Sequence, residues 1–167
     1  MLAASHLPWT ISNTPSKEII ADLSVRSFNN YKLVNCSCET LKGYRHSMEI
    51  GSTDEAYFCI LLLRSGQEKI TVRGEDLFLK KNDIILWDST QKMSFHVPDY
   101  VKKTSLLFPA TGLTSIFPKA HDYAGSIIPG ESSMGGMLAR HMDSLQKEMW
   151  RLEASSLTSL MKPTMDI

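Results

Sequence analysis

Three things are scarce in this sequence, and each scarcity removes a class of protein. Cysteine is one: Cys36, Cys38 and Cys59 are the only three. An odd count, with two of them two positions apart, argues against a disulfide framework. Excess charge is another. Lys plus Arg and Asp plus Glu both number 18, and no block of basic residues occurs. DNA binding draws its affinity from a basic surface that neutralises phosphates, so strong DNA binding is not expected of this chain by itself. Long apolar runs are the third. The longest, Tyr57–Leu63, is far too short to span a membrane. No cationic start leads into an apolar segment, so no secretory signal is read. A reducing cytoplasm is the expected setting. Catalytic signatures are also missing: there is no G-x-S-x-G elbow, Walker loop or dinucleotide fingerprint.

The residues that are present alternate between short apolar stretches and polar turns. From Tyr57 to Pro109 the repeat is every eight to twelve residues, the rhythm of a small β-barrel or sandwich. Tyr57–Leu63, apolar on both faces, is expected to be a central strand buried from both sides. Ile70 and Val72 alternate with Lys69, Thr71 and Arg73, and Arg73-Gly74-Glu75 reads as a tight hairpin. Lys81-Asn82-Asp83 is the next turn and Ile84–Trp87 the next strand. Met93, Phe95 and Val97 share a face, Pro98-Asp99 reads as a turn, and Thr104–Phe108 closes the series. Upstream, Tyr31–Glu39 reads as a strand with Val34, Cys36 and Cys38 on one face. Lys42–Ala56 reads as a strand and a turn.

The two ends differ from this middle. Residues 1–23 form an arm with Trp9 and a short helix over Ser16–Leu23, started at Thr14-Pro15. Residues 24–110 form the barrel. Residues 111–167 are helical, with a helical turn at Thr111–Phe117 and a loop over His121–Gly130. From Glu131, Met134, Met137, Leu138, His141, Leu145, Met149 and Leu152 recur at three- and four-residue steps. They mark an amphipathic helix of about five turns. A second helical piece covers Ser155–Met161.

Lys81–Phe95 has the shape of the second motif of the cupin barrels, but its metal-binding histidine position falls on Met93. The first cupin motif would end at Gly66. Its carboxylate position then falls near Cys59 and its histidine pair near Gly51–Asp54. A mononuclear metal site needs at least three such ligands converging, so no metal or other cofactor is expected, and no enzyme. The five histidines are scattered. A cyclic-nucleotide domain would need an Arg shortly after Gly74-Glu75, and none occurs between Arg73 and Arg140.

The order of motifs then points to a family. A central apolar strand ends in Ser65-Gly66, followed by a hairpin. Leu79-Lys80-Lys81-Asn82-Asp83-Ile84-Ile85-Leu86-Trp87-Asp88-Ser89 comes next, then Leu106-Leu107-Phe108-Pro109. This resembles the N-terminal cupin-like regulatory domain of AraC/XylS-type transcription factors. Within that family it is similar to the subgroup whose barrel strand ends in Asp-Ser and whose last strand ends in Pro; Arg45 fits the same pattern, and Pro118 and the Leu-rich helix Leu138–Leu152 fit the segment that follows the barrel. Asn82 stands where the family usually has Gly.

The resemblance implies a mainly β, jelly-roll barrel followed by helices. It also implies a small-molecule effector in the barrel, a homodimer formed through the helices, and DNA contact only through a helix-turn-helix domain outside this sequence. The candidate ligand-binding residues are Trp9, Arg45, Tyr57, Arg73, Trp87, Met93, Phe95 and His96. Met137, Leu138, His141, Leu145, Met149 and Leu152 are the candidate dimer interface. The competing readings are a structural or dimerisation module with a filled barrel, a divergent cupin enzyme and a cyclic-nucleotide-binding-like domain.

Overall fold

The structure is a computed structural model that describes residues 7–12, 20–151, 153, 156 and 159. Its strands are β1 (Thr10–Ile11), β2 (Ala21–Phe28), β3 (Tyr31–Arg45), β4 (Tyr57–Gly66), β5 (Glu68–Val72), β6 (Glu75–Leu79), β7 (Ile84–Asp88), β8 (Met93–Pro109) and β9 (Ile127–Ile128). The helices are α1 (Ser47–Gly51), α2 (Ala110–Ile116), α3 (Ala120–Tyr123) and α4 (Ser133–Met149). The strands form one nine-stranded sheet in the order β1-β3-β8-β4-β7-β9, with β2 on β3 and the β5–β6 hairpin on β8.

β8 is the spine of this sheet. Its first half lies between β3 and β5, and its second half between β3 and β4. Side chains alternate along a strand, so β8 feeds two cores. Met93, Phe95, Val97, Val101 and Leu107 face the interior of the rolled sheet; Leu106 and Phe108 face outward to a second core. β4 does the same, with Cys59, Leu61 and Leu63 inside and Phe58 and Leu62 outside. Its expected burial from both sides is what the structure shows.

The turns follow residue chemistry. Arg73 and Gly74 both take positive φ, 53° and 79°, the pairing that matches a two-residue hairpin to strand twist. Asn82 has φ 69°, a conformation asparagine tolerates better than most side chains. It therefore serves in the turn where a glycine would be usual.

Several expectations are corrected. Pro98-Asp99 does not break the chain: β8 runs through it, and the β3–β8 register shifts opposite, between Glu39 and Leu41. Pro98 is exposed, and a proline without an N–H is tolerated at such an irregularity. The helix expected over Ser16–Leu23 is not borne out at its end, because Ala21–Leu23 belong to β2 and pair with Cys36–Cys38. Residues 13–19, including its start, lie outside the described residues. After β3 the chain makes the helix α1 rather than a simple turn, because Glu49 Oε2 accepts the His46 amide at 2.9 Å and closes the first turn. The segment expected to be a loop, 121–130, contains most of α3 and the short strand β9.

α4 packs on the outer face. Ser132 caps it, its hydroxyl accepting the Gly135 amide at 3.0 Å. Gly135 is needed there, since a Cβ would stand 2.1 Å from the Pro129 carbonyl oxygen. This close approach turns Met142, Leu145 and Met149 into the second core and leaves Met134 and Met137 exposed. Arg64 fastens the helix, donating to Asp143, to Gln146 at 3.2 Å and to Thr104 at 3.2 Å. Among the described residues no helix is long and apolar enough to cross a membrane.

Candidate functional site

The interior face of β3, β4, β5, β7 and β8 lines a partly open cavity of about 40 Å³. Its walls are Trp9, Trp87, Met93, Phe95, Leu61 and Ile70, with Glu68 and Lys103 among them. Drug-sized ligands occupy roughly 300–1,000 Å³, so the barrel is nearly filled as it stands. The filling group from outside the barrel is Trp9. Its ring meets Trp87 edge-on at 5.9 Å between centroids and Phe95 at 5.3 Å.

Trp9 immediately precedes the two-residue strand β1, which pairs with Gly43 and Tyr44 of β3. Gly43 makes room: a Cβ there would lie 2.7 Å from the Phe95 ring and 3.1 Å from the Thr10 carbonyl oxygen. Two polar contacts fasten this arm. Thr10 Oγ1 donates to Glu49 Oε1 at 2.5 Å, and Arg45 Nη1 donates to the Pro8 carbonyl at 2.8 Å.

The polar heart of the cavity is a buried ion pair. Lys103 Nζ donates to Glu68 Oε1 at 2.5 Å, and their side chains are 10% and 1% exposed. The ammonium also sits 5.0 Å from the centroid of Phe95, within cation–π range. Burial pulls the Lys103 ammonium down, but Glu68 and neighbouring groups outweigh this and hold it above the ordinary lysine range. Among the described residues Glu68 Oε2 has no hydrogen-bond partner. Breaking such a pair by removing one member costs about 3–5 kcal/mol, whereas replacing both by apolar groups is often neutral. A buried pair with an oxygen left over is therefore a poor choice for stability alone.

Thiols line the same interior. The Cys36 and Cys38 side chains hydrogen-bond each other, which lowers Cys36 and raises Cys38. Cys59 is pushed up by burial. All three are free and buried. Among the described residues no three His, Cys, Asp or Glu side chains come together as a metal site. The cupin metal therefore does not fit the residues present.

Of the expected ligand-binding residues, Trp9, Trp87, Met93 and Phe95 come together at the cavity. The other four are placed elsewhere. Arg45, 1% exposed, is a clasp: it donates to the carbonyls of Ser89, Pro8 and Glu49 and to the Thr53 hydroxyl. Arg73 donates to the His121 carbonyl at 2.7 Å and steadies α3. The Tyr57 hydroxyl donates to Glu55 at the surface. His96 lies out of step with Phe95 and Val97 and borders an outer depression with Gln67 and Phe78. Burial, with Lys42 and Lys69 nearby, lowers its pKa.

Glu68 and Lys103 were missed, although a signal was available. Glu68 is in step with Ile70 and Val72, and Lys103 with Val101 and Leu107, so each charged residue sits on an apolar face.

The Asp-Ser pair also has a physical role. Ser89 Oγ accepts the Tyr57 amide at 2.8 Å and its own amide donates to the Tyr57 carbonyl at 2.9 Å, so it closes β7 against the start of β4. Asp88 accepts from Thr90 and meets His121 Nδ1 at 2.6 Å.

On the expected helix stripe, Leu145 and Met149 are buried in the chain's own second core, Leu138 and His141 are half-buried, and Met137 is exposed. Leu152 lies outside the described residues.

The crystal structure of the AraC-like transcriptional activator CuxR matches with a TM-score of 0.85 at 11% identity, covering 99% of this chain and 60% of that one. The chain thus spans about 60% of that activator's length. A putative ethanolamine utilization protein Q from Salmonella typhimurium LT2 matches over 54% of this chain and 70% of its own, at 14% identity and a TM-score of 0.44. The Schizosaccharomyces pombe Cnp3 cupin domain matches over 62% and 80%, at 11% identity and a TM-score of 0.45. No curated protein matches the sequence. The family model for the AraC-binding-like domain covers residues 1–164. A cupin-like barrel closed by an aromatic arm and backed by a helix, matched by that model over nearly its whole length, belongs to the AraC-binding-like domain family.

Proposed function

We propose that this chain is the effector-sensing and dimerisation domain of an AraC-type transcriptional regulator. In this reading it is not an enzyme, and DNA is contacted through a helix-turn-helix domain outside this sequence. One observation carries the sensing: a fully buried carboxylate, with one oxygen unpartnered among the described residues, faces a cavity stoppered by Trp9, the residue just before a two-residue strand. Replacing such a pair by apolar side chains is often neutral, so stability alone does not account for it. An effector that binds the open form better than the stoppered form shifts the balance between them.

Dimerisation is assigned to the exposed flank of α4, Met134 and Met137 with the half-buried Leu138 and His141. Two-fold pairing of one such patch closes an interface. Leu145 and Met149 take no part, being covered already.

The experiment is a thermal-shift and tryptophan-fluorescence titration with a broad panel of acids, amines, sugars and aromatics, alongside analytical ultracentrifugation of wild type and Met137→Glu. At least one compound class raises Tm and changes the fluorescence, and Met137→Glu sediments as a smaller species than wild type. A panel without response removes the sensing role, and a monomeric wild type at micromolar concentration removes the pairing.

A further inference from the structure

The chemistry of the cavity narrows its ligand, and this step rests on the sensing role just proposed. Glu68 and Lys103 sum to zero charge inside an otherwise apolar chamber. A cationic ligand would meet the Lys103 ammonium, and an anionic one would meet the free Glu68 oxygen. Both would also lose their hydration on entry. Among the described residues the unmet need in the chamber is one acceptor, Glu68 Oε2, at a side chain 1% exposed. The available shape is set by Trp9. The residual space is about 40 Å³, so anything larger than a few water molecules (each needs at least ~10–15 Å³) must take the volume that the indole of Trp9 now fills. That volume is bordered by Trp87 and Phe95, whose rings stand at 80° and 71° to Trp9, an arrangement that favours a flat ring.

We propose that the barrel takes a neutral, flat aromatic or heteroaromatic molecule of about indole size, which replaces Trp9 and donates one N–H or O–H to Glu68 Oε2. The arm is then a resident competitor for the site. Its release on binding is the signal, because β1 leaves Gly43 and Tyr44 when Trp9 does.

The test uses calorimetry with four probes: indole, its isostere benzofuran, which lacks the N–H, benzoate and benzylammonium. The proteins are wild type, Trp9→Ala, and the double variant Glu68→Leu/Lys103→Met, which removes both charges together and so avoids stranding one. Indole is expected to bind Trp9→Ala at least tenfold more tightly than wild type, because the competitor is gone. It is expected to exceed benzofuran by about tenfold, the consequence of leaving a buried acceptor unpaired. In the double variant that preference disappears.

Equal binding of indole and benzofuran, or tighter binding of either charged probe, overturns the proposed class while leaving sensing intact. If the broad panel, charged and sugar compounds included, fails to bind Trp9→Ala, the sensing role itself falls. Should Trp9→Ala not fold, the indole-to-benzofuran ratio in wild type against the double variant decides the same question, and a ratio near one in wild type overturns the class.

Discussion

Arg45 offers the sharpest quantitative test, because a family pattern makes it look like a ligand reader while the structure makes it a clasp. Arg45→Met keeps the length of the stem and removes the guanidinium. Four hydrogen bonds go with it: to the carbonyls of Ser89 at 3.3 Å, Pro8 at 2.8 Å and Glu49 at 3.0 Å, and to the Thr53 hydroxyl at 2.8 Å. Hydrogen bonds to a charged group contribute about 1.5–3 kcal/mol each, which sets a gross loss of roughly 6–12 kcal/mol. Against this, the variant no longer buries a cation. Burial lowers the pKa of this guanidinium even with Glu49 nearby, the sign of an unfavourable desolvation. The effective penalty for a buried ion is several kcal/mol, so the net cost comes to about 3–5 kcal/mol. For a domain of this size that is a fall in Tm of about 6–20 °C. Urea unfolding followed by circular dichroism measures the free energy. Limited proteolysis adds a local readout: because the Pro8 carbonyl is one of the partners, cleavage of the arm should rise at urea concentrations where the barrel is still folded. A loss below about 1 kcal/mol, in the range of ordinary surface substitutions, together with an unchanged cleavage rate, would refute the clasp and return Arg45 to the ligand.

Three further outcomes are expected. Gly43→Ala forces a Cβ against Phe95 and the Thr10 carbonyl, costs about 1–3 kcal/mol by overpacking, and loosens the arm; unchanged stability and arm protection would show that the gap is not needed. Leu145→Ala, in the second core, costs about 2–5 kcal/mol, whereas Met137→Ala stays within about 0.5 kcal/mol of wild type and weakens only self-association; the reverse ranking in urea titrations would invert the assigned faces of α4. His141 has its pKa lowered by burial, so the unfolded chain binds more protons just below the ordinary histidine value of about 6.5. Its contribution is therefore present above that pH and lost as pH falls through the lowered folded pKa, and His141→Gln should flatten the stability profile just below pH ~6.5. An unaltered slope would assign the acid sensitivity to other groups.

Much of the barrel was readable because alternation and turn chemistry are local. Arg73-Gly74 and Asn82 announce their conformations by residue type, and Tyr57–Leu63 announces its double burial by composition. β8 was harder. Pro98-Asp99 carries a turn signal, and only pairing with β3 on one side and with β5 and β4 on the other keeps the strand continuous. The helix stripe was legible as a period but not as a phase. Gly135 draws α4 close to Pro129, and that contact chooses which flank is covered. The site was half legible. Trp87, Met93 and Phe95 share an interior that apolar patterning can find. Arg45 and Arg73 are candidates because a cation in a barrel suggests a ligand, and the structure shows both donating to carbonyl oxygens of distant turns. Glu68 and Lys103 hid in plain alternation, because charge on an apolar face reads as an exception until its partner across the barrel is known.

One detail of β8 has a mechanical consequence. Lys103 points inward to Glu68, and the next residue, Thr104, points outward, where its hydroxyl donates to Asn35 at 2.9 Å and accepts from Arg64, which grips α4 through Asp143. A single peptide unit thus joins the chamber to the outer helix. The lysine stem is flexible, so only a displacement that reaches the β8 backbone itself passes from the chamber to the contacts on the outer face. Spin labels on α4 and β3 would read such a displacement of β8 as a change in their separation.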